Sequence, residues 1–187
     1  LLQSRGIEYL FANSGTDFTP IIEAVANLKL QNKLTLKIIQ CPHENTSIAM
    51  AHGYFLISKR QQAVMAHVTV GSANIGLGII NARRSQIPMF IMAGRTPLYD
   101  KNPNFISSDA SLSTKDVSIR TNFVQWGQES FDQSAMFREY TKWDYELRDG
   151  EYVEDVVDRG LSISSSFPQG PVYLTLPKET LCQKVSI

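Results

Sequence analysis

Cysteine is scarce in this sequence of 187 residues: Cys41 and Cys182 are the only two, and they stand far apart with no metal-ligand or redox spacing. A disulfide framework is not expected, and two reduced thiols of a cytosolic protein are. Long apolar runs are missing as well. None approaches the ~20 residues that a membrane span requires, and the N-terminus has neither the basic start nor the apolar stretch of a secretory signal. No membrane partner is expected. An excess of either charge is also absent, because 18 Lys and Arg offset 18 Asp and Glu, and no basic stripe runs along the chain to track phosphates. Nucleic acid is therefore a poor partner, and small-molecule chemistry or protein contacts remain. The three histidines, His43, His52 and His67, show no spacing suited to a metal. There is no initiator Met either. The opening "LLQSRGIEYLF" reads as a last helical turn closed by Gly6 ahead of a strand, which leads to the expectation of a piece of a longer polypeptide.

What is present is an alternation. Apolar runs of strand length recur at 9–12, 36–40, 63–68, 89–93 and 172–176, and segments of helical length lie between most of them at 20–30, 44–59, 72–84 and 153–164. Strands that alternate with helices need crossover connections, and crossovers make a mainly parallel sheet covered on both faces. A chain of this length can bury one sizeable core, so the expected fold is a single α/β domain of three layers. Ligands in such sheets bind outside the carboxyl ends of the strands. Three loops there carry the unusual residues, at 13–18, 41–44 and 67–74, and they should converge. From 99 to about 130 the chain turns polar, with Asn102, Asn104, Ser107, Ser108, Ser111 and Ser113. That is too long for an ordinary connection and suggests a lid, an interface arm or a mobile loop.

Within "IIQCPHENTSIAMAHGYF", 38–55, Glu44 stands where an apolar strand hands over to a helix of small residues. Pro42 suits the turn that enters the helix, Ile48, Ala51 and Phe55 form a stripe for burial, and Ala49 and Gly53 would allow close approach of a backbone or a flat ligand. Two roles for Glu44 stay open on these residues: complementing the positive end of its helix, or sharing a proton with a heterocycle in an apolar site. Burial would raise its pKa and the helix end would lower it. In "HVTVGSANIGLGI", 67–79, Gly71, Ser72 and Asn74 could offer backbone amides at a helix start. A phosphate loop is the rival, but its Lys-Ser/Thr ending is absent and Gly76-Leu77-Gly78 falls inside the expected helix, so both nucleotide fingerprints fail. His67 lies near the end of a strand on the expected ligand edge, where a structural and a catalytic role are both open.

Taken in order, "GIEYLFANSGTDFTPIIEAV", "HENTSIAMAHGYF", "HVTVGSANIGLGIINARRSQIPMFIMAGRTP", "QESFDQSAMFREYTKW" and "FPQGPVYLTLPKE" resemble the N-terminal, pyrimidine-binding domain of thiamine-diphosphate enzymes of the acetolactate synthase and benzoylformate decarboxylase superfamily. The resemblance covers nearly the whole chain. It implies that Glu44 binds N1′ of the cofactor's aminopyrimidine and favours the imino form, whose nitrogen removes the thiazolium C2 proton. His67 matches the active-site histidine of benzoylformate decarboxylase through the pattern His, three residues, Gly, two residues, Asn, which implies proton transfer by His67 and favours a decarboxylase or lyase over a plain acetolactate synthase. Ser14, Gly15 and Thr16 resemble the loop on the substrate side of the cofactor, with Thr16 where pyruvate decarboxylases have an acid and acetolactate synthases a second glycine. Gly71 and Asn74 belong to the same implied cofactor site. Gln128 and Glu129 resemble the Gln-Glu pair of the acetolactate synthase substrate channel after a shift of one residue.

The Gly-Asp-Gly segment that holds Mg2+ and the diphosphate in this family has no counterpart. The resemblance therefore implies half a site, with no metal bound by this chain, Mg2+ supplied through a diphosphate-binding domain, a 2-oxo acid or acyl substrate, and a homodimer or homotetramer. FAD binding is not decided by these motifs. A non-catalytic regulatory module of the same fold and a nucleotide-binding oxidoreductase are the alternatives; turnover in a longer polypeptide and NAD binding, respectively, discriminate them.

Overall fold

A computed structural model describes residues 1–98, 120 and 123–185. Six strands form one sheet: β1 (Tyr9–Ala12), β2 (Lys37–Gln40), β3 (Gln62–Ala66), β4 (Met89–Arg95), β5 (Asp144–Glu146) and β6 (Pro171–Pro177). The helices are α1 (Thr19–Leu30), α2 (Glu44–Ser58), α3 (Val68–Arg84), α4 (Phe123–Gly127), α5 (Val153–Ser165) and α6 (Lys178–Leu181). The sheet order is β2-β1-β3-β4-β6-β5, and every pairing is parallel, from Tyr9 opposite Lys37 to Glu146 opposite Thr175.

Side chains two apart along a strand share a face, and this period divides the core. Val64, Ile91, Ala93 and Tyr173 point to one face, where α2 and α3 contribute Ile48, Phe55, Ile75 and Ile79. Ala63, Met65, Phe90, Met92, Val172 and Leu174 point to the other, where Val156, Val157 and Leu161 of α5 close the layer. Each fully buried aliphatic or aromatic side chain contributes roughly 1.5–3 kcal/mol. Burial on both faces is why β3 and β4 read as continuous apolar runs without alternation.

The strand expected at 63–68 ends at Ala66, since Val68 already opens a helix, and the strands expected at 89–93 and 172–176 run to Arg95 and Pro177; two further differences are larger. The helix expected from 72 begins four residues earlier, at Val68, because the Ser72 hydroxyl donates to the Val68 carbonyl at 2.6 Å and the Gly71 N–H to the His67 carbonyl at 2.7 Å. Gly71, Ser72 and Asn74 are thus inside the helix, and the Gly71 N–H is consumed there. The second difference is β5, a sixth strand. Its three residues are too few to show a period, and it exists because "DYE" pairs with Tyr173, Leu174 and Thr175 of β6. The expected polar connection falls largely outside the described residues, at 99–119 and 121–122.

The Gly6 turn is as expected: its backbone φ of 81° and its N–H bond to Gln3 O close a short 3-10 turn before β1. Order and connectivity together place a switch point at β1, since the chain leaves β1 for β2 on one side and returns to β3 on the other. The crevice between the carboxyl ends of β1 and β3 is where such sheets bind ligands.

Candidate functional site

The three loops do converge, and side-chain hydrogen bonds tie them together. Glu44 is the first residue of α2, and it is 6% exposed. Its Oε1 accepts from Asn13 Nδ2 at 2.9 Å, in the loop after β1, and its Oε2 accepts from Asn74 Nδ2 at 2.8 Å, in the second turn of α3. His43 precedes it in extended conformation and caps the helix, with its Nδ1 accepting from the Asn45 N–H at 3.2 Å. The opposing influences on Glu44 resolve in one direction. Burial is the largest single effect and pushes its pKa up, but Asn74, the residue's own backbone N–H, Asn13 and His43 together pull it below the usual carboxylate value.

Beside this carboxylate lies a second pair. Asp17, 3% exposed, receives His67 Nδ1 on Oδ1 at 2.5 Å and the Val68 N–H on Oδ2 at 3.3 Å. Asp17 comes from a 3-10 turn, Thr16–Phe18, after β1, and His67 is the residue that joins β3 to α3. The pKa of His67 is raised, first by the bond to Asp17 and then by the fields of Asp17 and Glu44, against a lowering by burial.

Glycines allow this density of polar groups. A Cβ on Gly15 would overlap the His67 ring, and one on Gly94 would overlap the Asp17 carboxylate. A Cβ on Gly71 would lie 3.0 Å from Glu44 Oε1 and 3.3 Å from Ala66. Val68 has a φ of 30°, a left-handed value costly for a β-branched residue, and it falls where the chain turns from β3 into α3 with its N–H on Asp17. Behind the pair, Gln133 Nε2 donates to Gly94 O at 3.0 Å and to Tyr173 Oη at 2.9 Å, while Ser72 and Tyr173 share a hydroxyl bond of 2.7 Å. Burial pushes the Tyr173 phenol up to about 12, against the lowering by Ser72 and Gln133.

Of the residues singled out in the sequence, Glu44, His67, Gly15, Gly71 and Asn74 meet in this cluster. Ser14 and Thr16 are exposed on its rim, and Ser14 also heads an apolar groove of about 260 Å3 between β1 and α1 that includes Phe18 and Ile21. Gln128 follows α4, its backbone N–H on Val124 O at 3.0 Å, and is not among the described hydrogen bonds of the cluster. Sequence reading missed Asn13, Asp17, Gly94, Gln133 and Tyr173. The loop at 13–18 is one of the three expected to converge, so a signal for Asn13 and Asp17 exists in their position after β1. For Gly94, Gln133 and Tyr173 none existed, because their parts depend on partners 39 to 101 residues distant in the chain.

An open parallel sheet with an acid at a helix start and a glycine-walled crevice at its switch point has the arrangement in which such sheets bind small molecules. The sequence profile described as "Thiamine pyrophosphate enzyme, N-terminal TPP binding domain" matches residues 1–136, and the chain belongs to this family. Among curated relatives, it is 25% identical over 187 residues to sulfoacetaldehyde acetyltransferase of Rhodobacter capsulatus, covering 100% of this chain and 27% of that protein. It is 25% identical to benzoylformate decarboxylase of Pseudomonas aeruginosa, covering 98% of this chain and 29% of the relative. The chain thus spans well under a third of the length of these relatives. A solved thiamine diphosphate-dependent 4-hydroxybenzoylformate decarboxylase of Rhodococcus jostii superposes with a TM-score of 0.73 over 100% of this chain and 30% of that one, at 21% identity, which bears on the fold alone.

The residues of the crevice fit the aminopyrimidine end of the family's cofactor. An aminopyrimidine brings a ring nitrogen that pairs with a carboxylic group, and the Glu44 carboxyl stands at the wall that Gly71 leaves without a side chain.

Proposed function

We propose that this chain is the pyrimidine-binding portion of a thiamine-diphosphate enzyme that cleaves or forms a carbon-carbon bond next to a carbonyl, acting on a 2-oxo acid or acyl substrate. When bound, the cofactor supplies a thiazolium carbon able to add to such a carbonyl. The chain's own residues bind and direct. Glu44 carries the reading: it holds a proton against the pyrimidine N1′, and Asn13 and Asn74 aim its two oxygens. Those amides favour the Glu44 anion, which shifts the shared proton toward the ring nitrogen. His67 exchanges a proton with substrate, which favours a decarboxylase or lyase reaction. Ser14, Gly15 and Thr16 line the substrate side, and Gln128 is a candidate substrate contact on the resemblance alone. Mg2+ and the diphosphate are held by a separate domain, and the 187-residue chain alone is inactive.

Association in a homodimer or homotetramer is part of this reading. Ile57 of α2 and Leu77 of α3 are 88% and 76% exposed, and Met50, Leu56 and Val70 add to the apolar surface of the same two helices. A second copy placed there would complete a site that spans two chains.

In the full-length protein with thiamine diphosphate and Mg2+, Glu44→Gln slows exchange of the cofactor C2 proton by orders of magnitude; unchanged exchange overturns the assignment. His67→Ala loses decarboxylation while retaining cofactor binding, and near-normal turnover of 2-oxo acids returns His67 to a structural role.

A further inference from the structure

We propose that Asp17 is the positioning residue of this site, fixing the His67 imidazole with its Nδ1 proton on the carboxylate and leaving Nε2 as the nitrogen that exchanges protons. This rests on the reading of His67 as a proton-transfer group. The geometry is specific. An ionised carboxylate can only accept, so the 2.5 Å contact requires Nδ1 to be the donor. The neutral ring then carries its lone pair on Nε2, which has no hydrogen-bond partner among the described residues. Protonation at Nε2 gives an imidazolium whose charge is compensated at once by Asp17, without any heavy-atom movement.

Asp17 itself is held from two directions. Its Oδ2 accepts the Val68 N–H at 3.3 Å, so one carboxylate fixes both the ring and the backbone that carries the ring. Gly94 on β4 leaves the space that the carboxylate occupies, and Gly15 leaves the space for the imidazole. A buried acid is costly unless it is paired, and the described partners of Asp17 are His67 and the adjoining backbone amide. This is the arrangement of an acid that orients and polarises a histidine, here built from the β1 loop and the end of β3. The charged side chains that act on His67 are Asp17, from the β1 loop, and Glu44, from α2. Glu44 is pinned by two amides, so Asp17 makes the direct contact.

The test is the titration of His67 in full-length protein, followed by mass-spectrometric hydrogen–deuterium exchange at its ring Cε1 across pH. This reads the one histidine without depending on turnover. The expected midpoint lies above the ordinary value of about 6.5 and falls by about one unit or more in Asp17→Asn, the size of shift that a neighbouring opposite charge produces. The pH limb of kcat/KM that depends on His67, which reports the free enzyme, moves to lower pH as well. A midpoint that is the same in both proteins overturns the proposal, and so does a wild-type midpoint at or below about 6.5, which decides the matter even if Asp17→Asn does not fold. Near-normal turnover by His67→Ala would instead remove the catalytic reading of His67 and leave the titration to judge Asp17 separately.

Discussion

The two sides of β1 are built in opposite ways. Toward β3, every side chain of the strand is buried, α2 and α3 pack tightly above it, and polar groups such as Ser72, Gln133 and Tyr173 are buried with partners. Toward β2, the strand is an edge, mostly exposed, and the neighbouring α1 buries none of its residues even though it is largely apolar. The first side fixes atoms to within a hydrogen bond; the second leaves an apolar groove along Leu10, Ile21, Val25 and Leu36. The candidate site stands on the rigid side. Charged groups at low exposure need fixed partners, and only densely packed elements hold partners in place.

This contrast can be broken from the rigid side first. Phe90 is fully buried between the sheet and α5, against Gly160, and Phe90→Ala should cost about 3–5 kcal/mol in urea unfolding of the chain. Gly94→Ala should cost about 1–3 kcal/mol through overpacking and also displace Asp17, so His67 titrates lower; a stable variant with an unchanged His67 would show that the crevice has slack. Leu30 in α1 is 83% exposed, and Leu30→Ser should change stability by no more than about 0.5 kcal/mol. A large loss there would mean that α1 is held as firmly as α3.

The pH dependence of stability sharpens the same comparison, because Glu44 and His67, whose pKa values are shifted, both stand in the crevice beside β3. The folded-state pKa of Glu44 is lowered, so its contribution is present above its unfolded value of about 4.3 and disappears as pH falls through the folded one. That of His67 is raised, so its contribution is complete below about 6.5 and is lost as pH rises through the folded value. The unfolding midpoint of the chain should therefore decline at both ends, and Asp17→Asn should flatten the alkaline decline. An equal alkaline decline in that variant would assign the loss to other groups.

Much of the fold was legible because strong local periods produce it. The apolar runs at 9–12 and 89–93 and the helical pattern at 20–30 all lie within a residue or two of β1, β4 and α1. The three loops expected to meet do meet, as strand direction requires. What was hidden is of a different kind. The start of α3 depends on His67, Ser72 and Asp17 completing its first turn, and β5 depends on β6 to pair with. Hidden too is the bond from the Asn74 amide to Glu44, a contact 30 residues away in the chain.

The sequence by itself determined a parallel α/β domain, its ligand edge and a carboxylate at the start of a helix, because strand and helix periods and the polarity of a parallel sheet are local properties of residues. Only the tertiary structure decided that Asn13 and Asn74 make Glu44 the better anion, and that Asp17 takes one nitrogen of His67 and leaves the other. Those outcomes depend on distances between segments that the chain brings together only on folding, and a carboxylate's proton affinity is set by the neighbours at those distances.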